Sequence, residues 1–173
     1  MKEIKRGMKN GIPIALGYLS VSFSFGAIAV SMGVIQAVLI SLLNLTSAGQ
    51  FASLGIIAGQ GTYLEMAIVE LTVNIRYAFM SLSLSQKVDE KFKGIYKWLL
   101  SFFITDEIFA LSMLEENVSR TYFFGLASIS TAGWMLGTTL GAMLGSIVPT
   151  VISNALSIAL YAMFIAIIIP GMK

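Results

Sequence analysis

Four charged side chains lie deep inside long apolar stretches of this chain. Glu70 and Arg76 share one stretch, and Asp106 and Glu107 share a later one. A charge at the centre of a membrane-crossing helix costs about 2.5–3.5 kcal/mol on insertion scales, so each needs a partner or a water-filled cavity. Because three acids face one base, at least one acid must be unpaired or protonated. Such acids mark substrate sites or proton relays more often than simple packing.

An ion pair between Arg76 and either acid of the later stretch, serving only to hold helices together, is the structural alternative. Helical spacing also separates the neighbours of these charges. Glu70, Asn74 and Tyr77 share one face of an ideal helix. Arg76 points roughly opposite Asn74, so a straight helix would not present both side chains to one ligand.

The residue types that are missing exclude most enzyme chemistry. The chain has no cysteine and no histidine. Disulfides, thiolate metal sites and cysteine nucleophiles are therefore excluded, and so is the commonest general base. No nucleophile–base pair stands out among the remaining residues. We expect no catalytic residue, no metal and no cofactor, and an intramembrane enzyme is the least favoured interpretation.

The elements that must position these charges are membrane helices. Only 12% of the 173 residues are charged and 57% are hydrophobic, whereas a soluble domain carries about 25% charge. A helix needs about 20 apolar residues to cross a bilayer, and the runs here are continuous rather than alternating as in barrel strands. The sequence predicts an all-α, polytopic integral membrane protein with one transmembrane domain over residues 1–173. Its six hydrophobic segments are residues 12–33, 35–59, 62–84, 98–114, 122–148 and 151–169.

The second segment differs from the others because its middle is polar and small. Residues 44–50 read Asn-Leu-Thr-Ser-Ala-Gly-Gln, which predicts a broken or re-entrant helix; a continuous helix facing a neighbour is the alternative. The basic tail, residues 1–11, is predicted to be cytoplasmic. The lysine-rich loop, residues 85–97, joins it there only if segment 2 leaves on the side where it entered. The loop with Glu115 and Glu116 would then lie outside.

Segment 5 carries a glycine at every fourth position, which predicts a face for close helix packing. The packing neighbour could be internal, a second copy or another protein. Trp134 in this segment is expected to line a cavity or to pack in the core. A weak echo between Thr46-Ser-Ala-Gly49 and Ser130-Thr-Ala-Gly133 is compatible with an internal repeat of three elements. The packing face comprises Gly133, Gly137, Gly141 and Gly145.

Taken together, these motifs resemble those of the AzlC family of branched-chain amino acid permeases. The similarity covers nearly the whole chain, with five short motifs in the expected order. Family chains usually continue beyond the point where this one stops, at Lys173. The motifs are Gly11-Ile-Pro13 with Gly26, Ser47-Ala-Gly49-Gln50-Phe51, Asn74-Ile-Arg76-Tyr77, Thr105-Asp106-Glu107, and Gly133-Trp134 with Gly137.

The resemblance implies an inner-membrane exporter of leucine, isoleucine and valine that acts with a smaller AzlD-type membrane partner. A zwitterionic substrate needs a group for each of its charges. Arg76, or backbone N–H groups beside Gly49, is expected to hold the carboxylate, and Asp106 or Glu107 the ammonium. A leftover acid would carry a coupling proton. We expect substrate-binding roles for Gly49, Gln50, Asn74, Arg76, Asp106, Glu107 and Trp134, and proton-coupling roles for Glu70, Asp106 and Glu107.

Two alternatives to this exporter remain open from the sequence. One is a non-transporting membrane scaffold whose glycine face recruits a partner, and the other is a transporter of a different small solute. A homo-oligomer is compatible with either. No nucleic-acid partner is expected, because the basic residues belong to loops that face the cytoplasm.

Overall fold

The computed structural model describes residues 2–145 and 147–149, together with Val151, Ala155 and Ile158. This part of the chain is all-helical, as predicted, apart from an isolated bridge between Val88 and Val118. The sixth predicted segment, residues 151–169, otherwise lies outside the described residues, and so does Lys173. The helices are α1 (Lys2–Ala29, followed by a 3-10 turn, Val30–Met32), α2 (Val34–Leu43), α3 (Ser47–Ala58), α4 (Tyr63–Ser85), α5 (Ile95–Phe102), α6 (Asp106–Met113) and α7 (Arg120–Leu144).

The helices α1 and α7 pack side by side along their length and run parallel. Gly7 of α1 lies against Tyr122 and Leu126 near the start of α7, and Gly26 lies against Thr138 near its end. Both helices therefore begin at the same end of the fold. We call this the tail end, and the opposite one the far end.

The four predicted packing glycines of α7 lie against α1. A Cβ added to Gly133 or Gly137 would overlap the α1 backbone at Ala15 or Leu19. At Gly141 it would meet the carbonyl oxygen of Phe23, and at Gly145 it would meet Ala27. Only glycine lets two helix backbones come this close. The neighbour of this face is thus an internal helix.

The helices α2 and α3 form a hairpin whose two ends lie at the far end. α2 starts where α1 finishes, and its Ser41 hydroxyl lies 2.7 Å from that of Thr138 on α7. Residues 44–46 then interrupt the helix at the polar stretch. α3 returns to the far end, where Leu54 packs in one cluster with Phe25. Segment 2 is therefore broken and turns back on itself.

The helix α4 crosses the fold from the far end to the tail end. A capping box fixes its start: the Thr62 hydroxyl accepts from the Glu65 backbone N–H at 3.2 Å, and the Glu65 carboxylate accepts from the Thr62 backbone N–H at 2.6 Å. With its 23 residues α4 is about 35 Å long, enough for a bilayer core. Among the described helices, α4 and the helix Lys2–Met32 are long and apolar enough to cross a membrane. α7 is 25 residues long, but ten of these are glycine, serine or threonine.

Segment 4 is not one continuous helix, which corrects the sequence prediction. Residues 103–105 separate α5 from α6. The Thr105 hydroxyl accepts from the backbone N–H of Ile108 and starts a new helix, and the acids Asp106 and Glu107 occupy its first turn. Acids are favourable there because the helix dipole is positive at its N-terminus. The two charges therefore lie at a helix start rather than at a helix centre.

The break in segment 4 also reverses the expected position of the acidic loop. α6 returns to the tail end, where the Lys87 ammonium donates to the backbone carbonyls of Met113 and Glu115 at 2.8 and 3.1 Å. Glu115 pairs with Arg6 at 2.8 Å. The expectation that the loop with Glu115 and Glu116 lies opposite the tail is wrong, because α5 and α6 form a second hairpin instead of a crossing.

The predicted basic tail and lysine-rich loop differ from the structure in extent. Residues 2–11 are the first turns of α1 rather than a separate tail. The last three residues of the predicted loop, from Ile95 onward, belong to α5. The two stretches of the sequence echo do not occupy equivalent positions in their helices. Residues 46–49 begin a helix, whereas residues 130–133 lie inside the unbroken α7.

Candidate functional site

The breaks of the two hairpins meet in the middle of the fold, and a helix starts at each. The hydroxyls of Thr46 and Thr105 cap α3 and α6 by accepting from the backbone N–H groups of Gly49 and Ile108, at 3.4 Å each. The first turn of a helix carries unsatisfied N–H groups and a partial positive charge. Two such helix starts therefore flank one region.

A cavity of about 20 Å³ lies between these helix starts. It has room for about one water molecule, so no amino acid fits in this conformation. The walls combine two acids, three aromatic rings, three hydroxyl side chains and two aliphatic side chains. These are Asp106, Glu107, Tyr18, Tyr77, Trp134, Ser47, Thr105, Thr131, Leu45 and Ile108.

The deep base pairs with one of the two acids in the cavity wall. Arg76 Nη2 lies 3.0 Å from Asp106 Oδ2, which joins α4 to the start of α6. The guanidinium also lies over the Tyr77 ring, 5.0 Å from its centre. The ion pair that the sequence offered as a purely structural role for Arg76 is therefore present. Asp106 still lines the cavity, so the pair can serve a ligand as well as hold two helices together.

Glu107 is more deeply buried than Asp106 and has a different partner. Its side chain is 4% exposed, and its carboxylate accepts from the Tyr18 hydroxyl of α1. That hydroxyl also contacts Thr105 Oγ1. Within the described part of the chain, Glu107 has no ion pair. A buried acid held by neutral groups next to a cavity is a candidate for binding a cation or a proton.

Trp134 lines the cavity from α7. Its ring packs edge-to-face on Tyr18 with the centroids 5.3 Å apart. The indole is 3% exposed, and its N–H finds no hydrogen-bond partner among the described residues. A buried donor without a partner is costly, so such a donor in a cavity wall points to a ligand or water that accepts from it.

A chain of polar side chains leads away from the cavity along α4. The Glu70 carboxylate accepts from the Ser53 hydroxyl and, at 2.6 Å, from the Asn74 amide. The Asn74 carbonyl accepts from the Thr46 hydroxyl at 2.7 Å, and the Tyr77 hydroxyl lies 3.4 Å from the same oxygen of Thr46. Glu70 is therefore linked to the cavity without lining it, and no described basic residue pairs with it.

Gly49 and Gln50 lie behind the cavity wall. A Cβ on Gly49 would approach Glu70 Oε2 to 2.5 Å, so the glycine makes room for that carboxylate. The buried Gln50 amide donates to the carbonyl of Asn44, which the break leaves free. The Gln50 amide nitrogen thus closes the end of α2, while its buried Oε1 has no hydrogen-bond partner among the described residues.

Of the predicted site residues, Asp106, Glu107 and Trp134 line the cavity, while Arg76, Asn74 and Glu70 connect to it. Sequence reasoning assigned no role to Tyr18 or Thr131. An aromatic or hydroxyl side chain within a mostly apolar segment carries no signal of its own. Thr105 did have one, because threonine before two acids is typical of a helix start.

Comparisons with known proteins agree on one family. The model of the family described as AzlC protein matches residues 13–148. An uncharacterized membrane protein of Archaeoglobus fulgidus is 30% identical over 136 residues, covering 78% of this chain and 59% of the relative. The inner membrane protein YgaZ of Escherichia coli is 25% identical over 139 residues, covering 76% and 57%. An uncharacterized membrane protein of Helicobacter pylori is 31% identical over 147 residues, covering 80% and 62%.

The chain spans about three fifths of the length of these curated relatives. No solved structure matches it. The family match covers most of the chain, including both hairpins and all the cavity-lining residues. The relatives are named as membrane proteins, in keeping with the helices described above. The chain therefore belongs to the AzlC protein family and is a membrane protein.

Proposed function

We propose that this protein is the larger subunit of a transporter that exports branched-chain amino acids across the cell inner membrane. One observation carries the proposal: the cavity at the meeting point of two half-helices offers acids, a free donor and aliphatic walls together. Half-helix ends at mid-depth are a common way for transporters to build a substrate site. No step of this function requires covalent catalysis, a metal or a cofactor.

The two charges of an amino acid would bind on different sides of the cavity. Asp106 and Glu107 already place negative charge at the start of α6, which favours the ammonium group there. The start of α3, at Ser47, has no acid in its first turn, and Trp134, whose N–H has no described partner, also lines the cavity. Backbone N–H groups and an indole N–H together suit a carboxylate.

The aliphatic side chain of the substrate would contact Leu45 and Ile108, which provide the apolar part of the wall. This is the feature that favours leucine, isoleucine and valine over polar amino acids. Arg76 would act through Asp106, by orienting its carboxylate. Gly49, Gln50 and Asn74 would support the α3 start rather than contact the substrate.

We propose Glu107 or Glu70 as the carrier of a coupling proton. Both are acids without an ion-pair partner in the described part of the chain, whereas Asp106 is engaged by Arg76. Glu107 borders the cavity, and Glu70 reaches it through Asn74 and Thr46. Uptake and release of a proton by one of these carboxylates would accompany movement of the substrate.

The proposed arrangement in the membrane is multi-pass, with the tail end in the cytoplasm. The lysines of the first ten residues and of the loop before α5 all lie at that end, as the positive-inside rule favours. An AzlD-type membrane protein remains the proposed partner. The glycine face supplies no docking surface for it, since α1 already covers those glycines.

Efflux of labelled leucine from preloaded vesicles, with the protein and its partner co-expressed, tests the proposal. The matched pair of variants is Glu107→Gln in the cavity and Glu116→Gln in the exposed acidic loop. Losing one charge-assisted contact of about 1.5–3 kcal/mol predicts at least about tenfold slower efflux for Glu107→Gln. Glu116→Gln should match the wild type. Efflux no faster than in empty vesicles for the wild type would refute the transport function.

A further inference from the structure

The two hairpins share a local design that their sequences barely reveal. In each, three residues separate the two half-helices, and they end in an aliphatic residue followed by a capping threonine: Leu45-Thr46 in one and Ile104-Thr105 in the other. Each hairpin is followed by a long helix with a hydroxyl cap, Thr62 for α4 and Ser119 for α7. The runs α2–α4 and α5–α7 thus share one order of elements, with the same types of cap.

The long helices of the two units also match in register. Asn74 lies twelve residues after its cap Thr62, and Thr131 lies twelve residues after Ser119. Tyr77 and Trp134 both lie fifteen residues after their caps. Tyr77, Thr131 and Trp134 line the cavity, and Asn74 bonds to the threonine at the break beside it. Equivalent positions therefore meet at one place.

The two units have opposite directions. The α2/α3 hairpin begins and ends at the far end and is followed by a helix that runs toward the tail end. The α5/α6 hairpin begins and ends at the tail end, next to Lys87 and Arg6, and is followed by a helix that runs toward the far end. Units of opposite orientation around a central site are the arrangement that alternating-access transporters use.

We propose that α2–α4 and α5–α7 are inverted copies of one unit, and that each hairpin is the gate to its own end of the cavity. This rests on the proposed transport function. The α2/α3 hairpin closes the cavity toward the far end and is held on α7 by Ser41 and Thr138. The α5/α6 hairpin closes it toward the tail end and is held through Tyr18 and Glu107. A cavity with room for no more than a water molecule is what two closed gates would leave.

Locking one gate at a time tests the proposal, and the absence of natural cysteines makes this direct. The far gate is locked by a disulfide between Ser41→Cys and Thr138→Cys, whose hydroxyls lie 2.7 Å apart. The tail gate is locked by a bifunctional thiol reagent between Tyr96→Cys and Phe124→Cys, whose rings lie 6.3 Å apart. A further cysteine, Thr131→Cys, reports on the cavity. It is labelled with an impermeant thiol reagent applied from one side only, in intact cells or in inverted vesicles.

The expected result is directional. With the far gate locked, Thr131→Cys is labelled from the tail end and not from the far end, and the tail lock gives the reverse. Either lock stops leucine efflux, and reduction of the Ser41–Thr138 disulfide restores it. Unchanged labelling from both ends, or efflux at the unlocked rate despite a complete cross-link, would overturn the proposal. Because labelling needs no substrate, directional labelling without leucine efflux would refute only the proposed function.

Discussion

Among single residues, the ion pair between Arg76 and Asp106 has two candidate roles. It can hold α4 against α6, or it can orient the Asp106 carboxylate toward a substrate. Removing Arg76 alone would leave the acid uncompensated, so instability would be expected under either role. Removing both charges separates the two roles. The neutral pair costs little to bury, but it cannot orient a carboxylate toward an ammonium group.

We therefore expect Arg76→Ala combined with Asp106→Asn to give a folded but inactive protein. Yield and thermal stability in detergent should stay close to the wild type, while leucine efflux falls at least about tenfold, as for loss of one charged hydrogen bond. Arg76→Ala alone should be less stable than the double variant. Efflux near the wild-type rate in the double variant would leave the pair with a structural role only.

A second prediction at this scale concerns the unpartnered N–H of Trp134. Trp134→Phe keeps an aromatic ring against Tyr18 and removes the donor. We expect normal assembly with a KM for leucine raised about tenfold, because a hydrogen bond to a charged acceptor contributes about 1.5–3 kcal/mol. Trp98→Phe is the matched control, since Trp98 is 78% exposed and outside the cavity. Equal KM values for the two variants would remove Trp134 from the carboxylate subsite.

The charged site residues could be predicted from the sequence, and Arg76 was expected to pair with Asp106 or Glu107, but the partners of the other charges could not be predicted. A charge in an apolar segment is conspicuous because it is costly, which singled out Glu70, Arg76 and the two acids of segment 4. Tyr18 and Thr131 are found only when helices pack, since similar side chains occur throughout the segments. Which acid pairs with Arg76 likewise depends on the break before Asp106.

At the scale of elements, the glycine face of α7 determines how closely α1 can approach. Gly141→Leu would place side-chain atoms on the backbone of Phe23. Overpacking costs about 1–3 kcal/mol and often more when backbone must move, so we expect a clear fall in yield and in melting temperature. Gly55→Leu is the control, because a Cβ on Gly55 meets nothing within 4 Å. Equal stability of the two variants would show that α1 and α7 do not pack as described.

The two helix breaks differ in how visible they are in the sequence. The first contains asparagine, threonine, serine, glycine and glutamine within seven residues, which interrupts the apolar pattern. The second is marked only by Thr105 and the two acids after it, and its flanks are strongly apolar. Hydropathy averaged over segment 4 therefore does not reveal the second break. The capping pattern of threonine followed by acids does indicate it.

In the whole molecule, one hairpin enters from the far end and the other from the tail end. Hydropathy alone did not predict this topology. Cysteines introduced at Gly94 and Glu116 should react from the same side of the membrane, and one at Gln60 should react from the opposite side. An impermeant thiol reagent applied to intact cells should label Gln60→Cys only, because the proposed orientation puts the lysine-rich tail end in the cytoplasm. Labelling of Glu116→Cys together with Gln60→Cys would contradict the α5/α6 hairpin.

The all-helical class and the central position of the site followed from composition and from the cost of buried charge. The number of crossings did not, since an apolar run of about 20 residues can form one helix or a hairpin of two halves. Segment 4 has the length of the first and the structure of the second. The proposed inverted pairing of the two units depends on the positions of both breaks, which hydropathy does not give.

The proposed transport depends on a cavity that binds an amino acid through both of its charges. Leucine counterflow in liposomes that hold the protein with its partner measures this binding. Labelled leucine outside should accumulate against unlabelled leucine inside. Excess leucine, isoleucine or valine should compete for this uptake. By contrast, 4-methylpentanoate, which lacks the ammonium, and isoamylamine, which lacks the carboxylate, should not compete. No counterflow, or equal competition by either single-charge analogue, would refute binding through both charges.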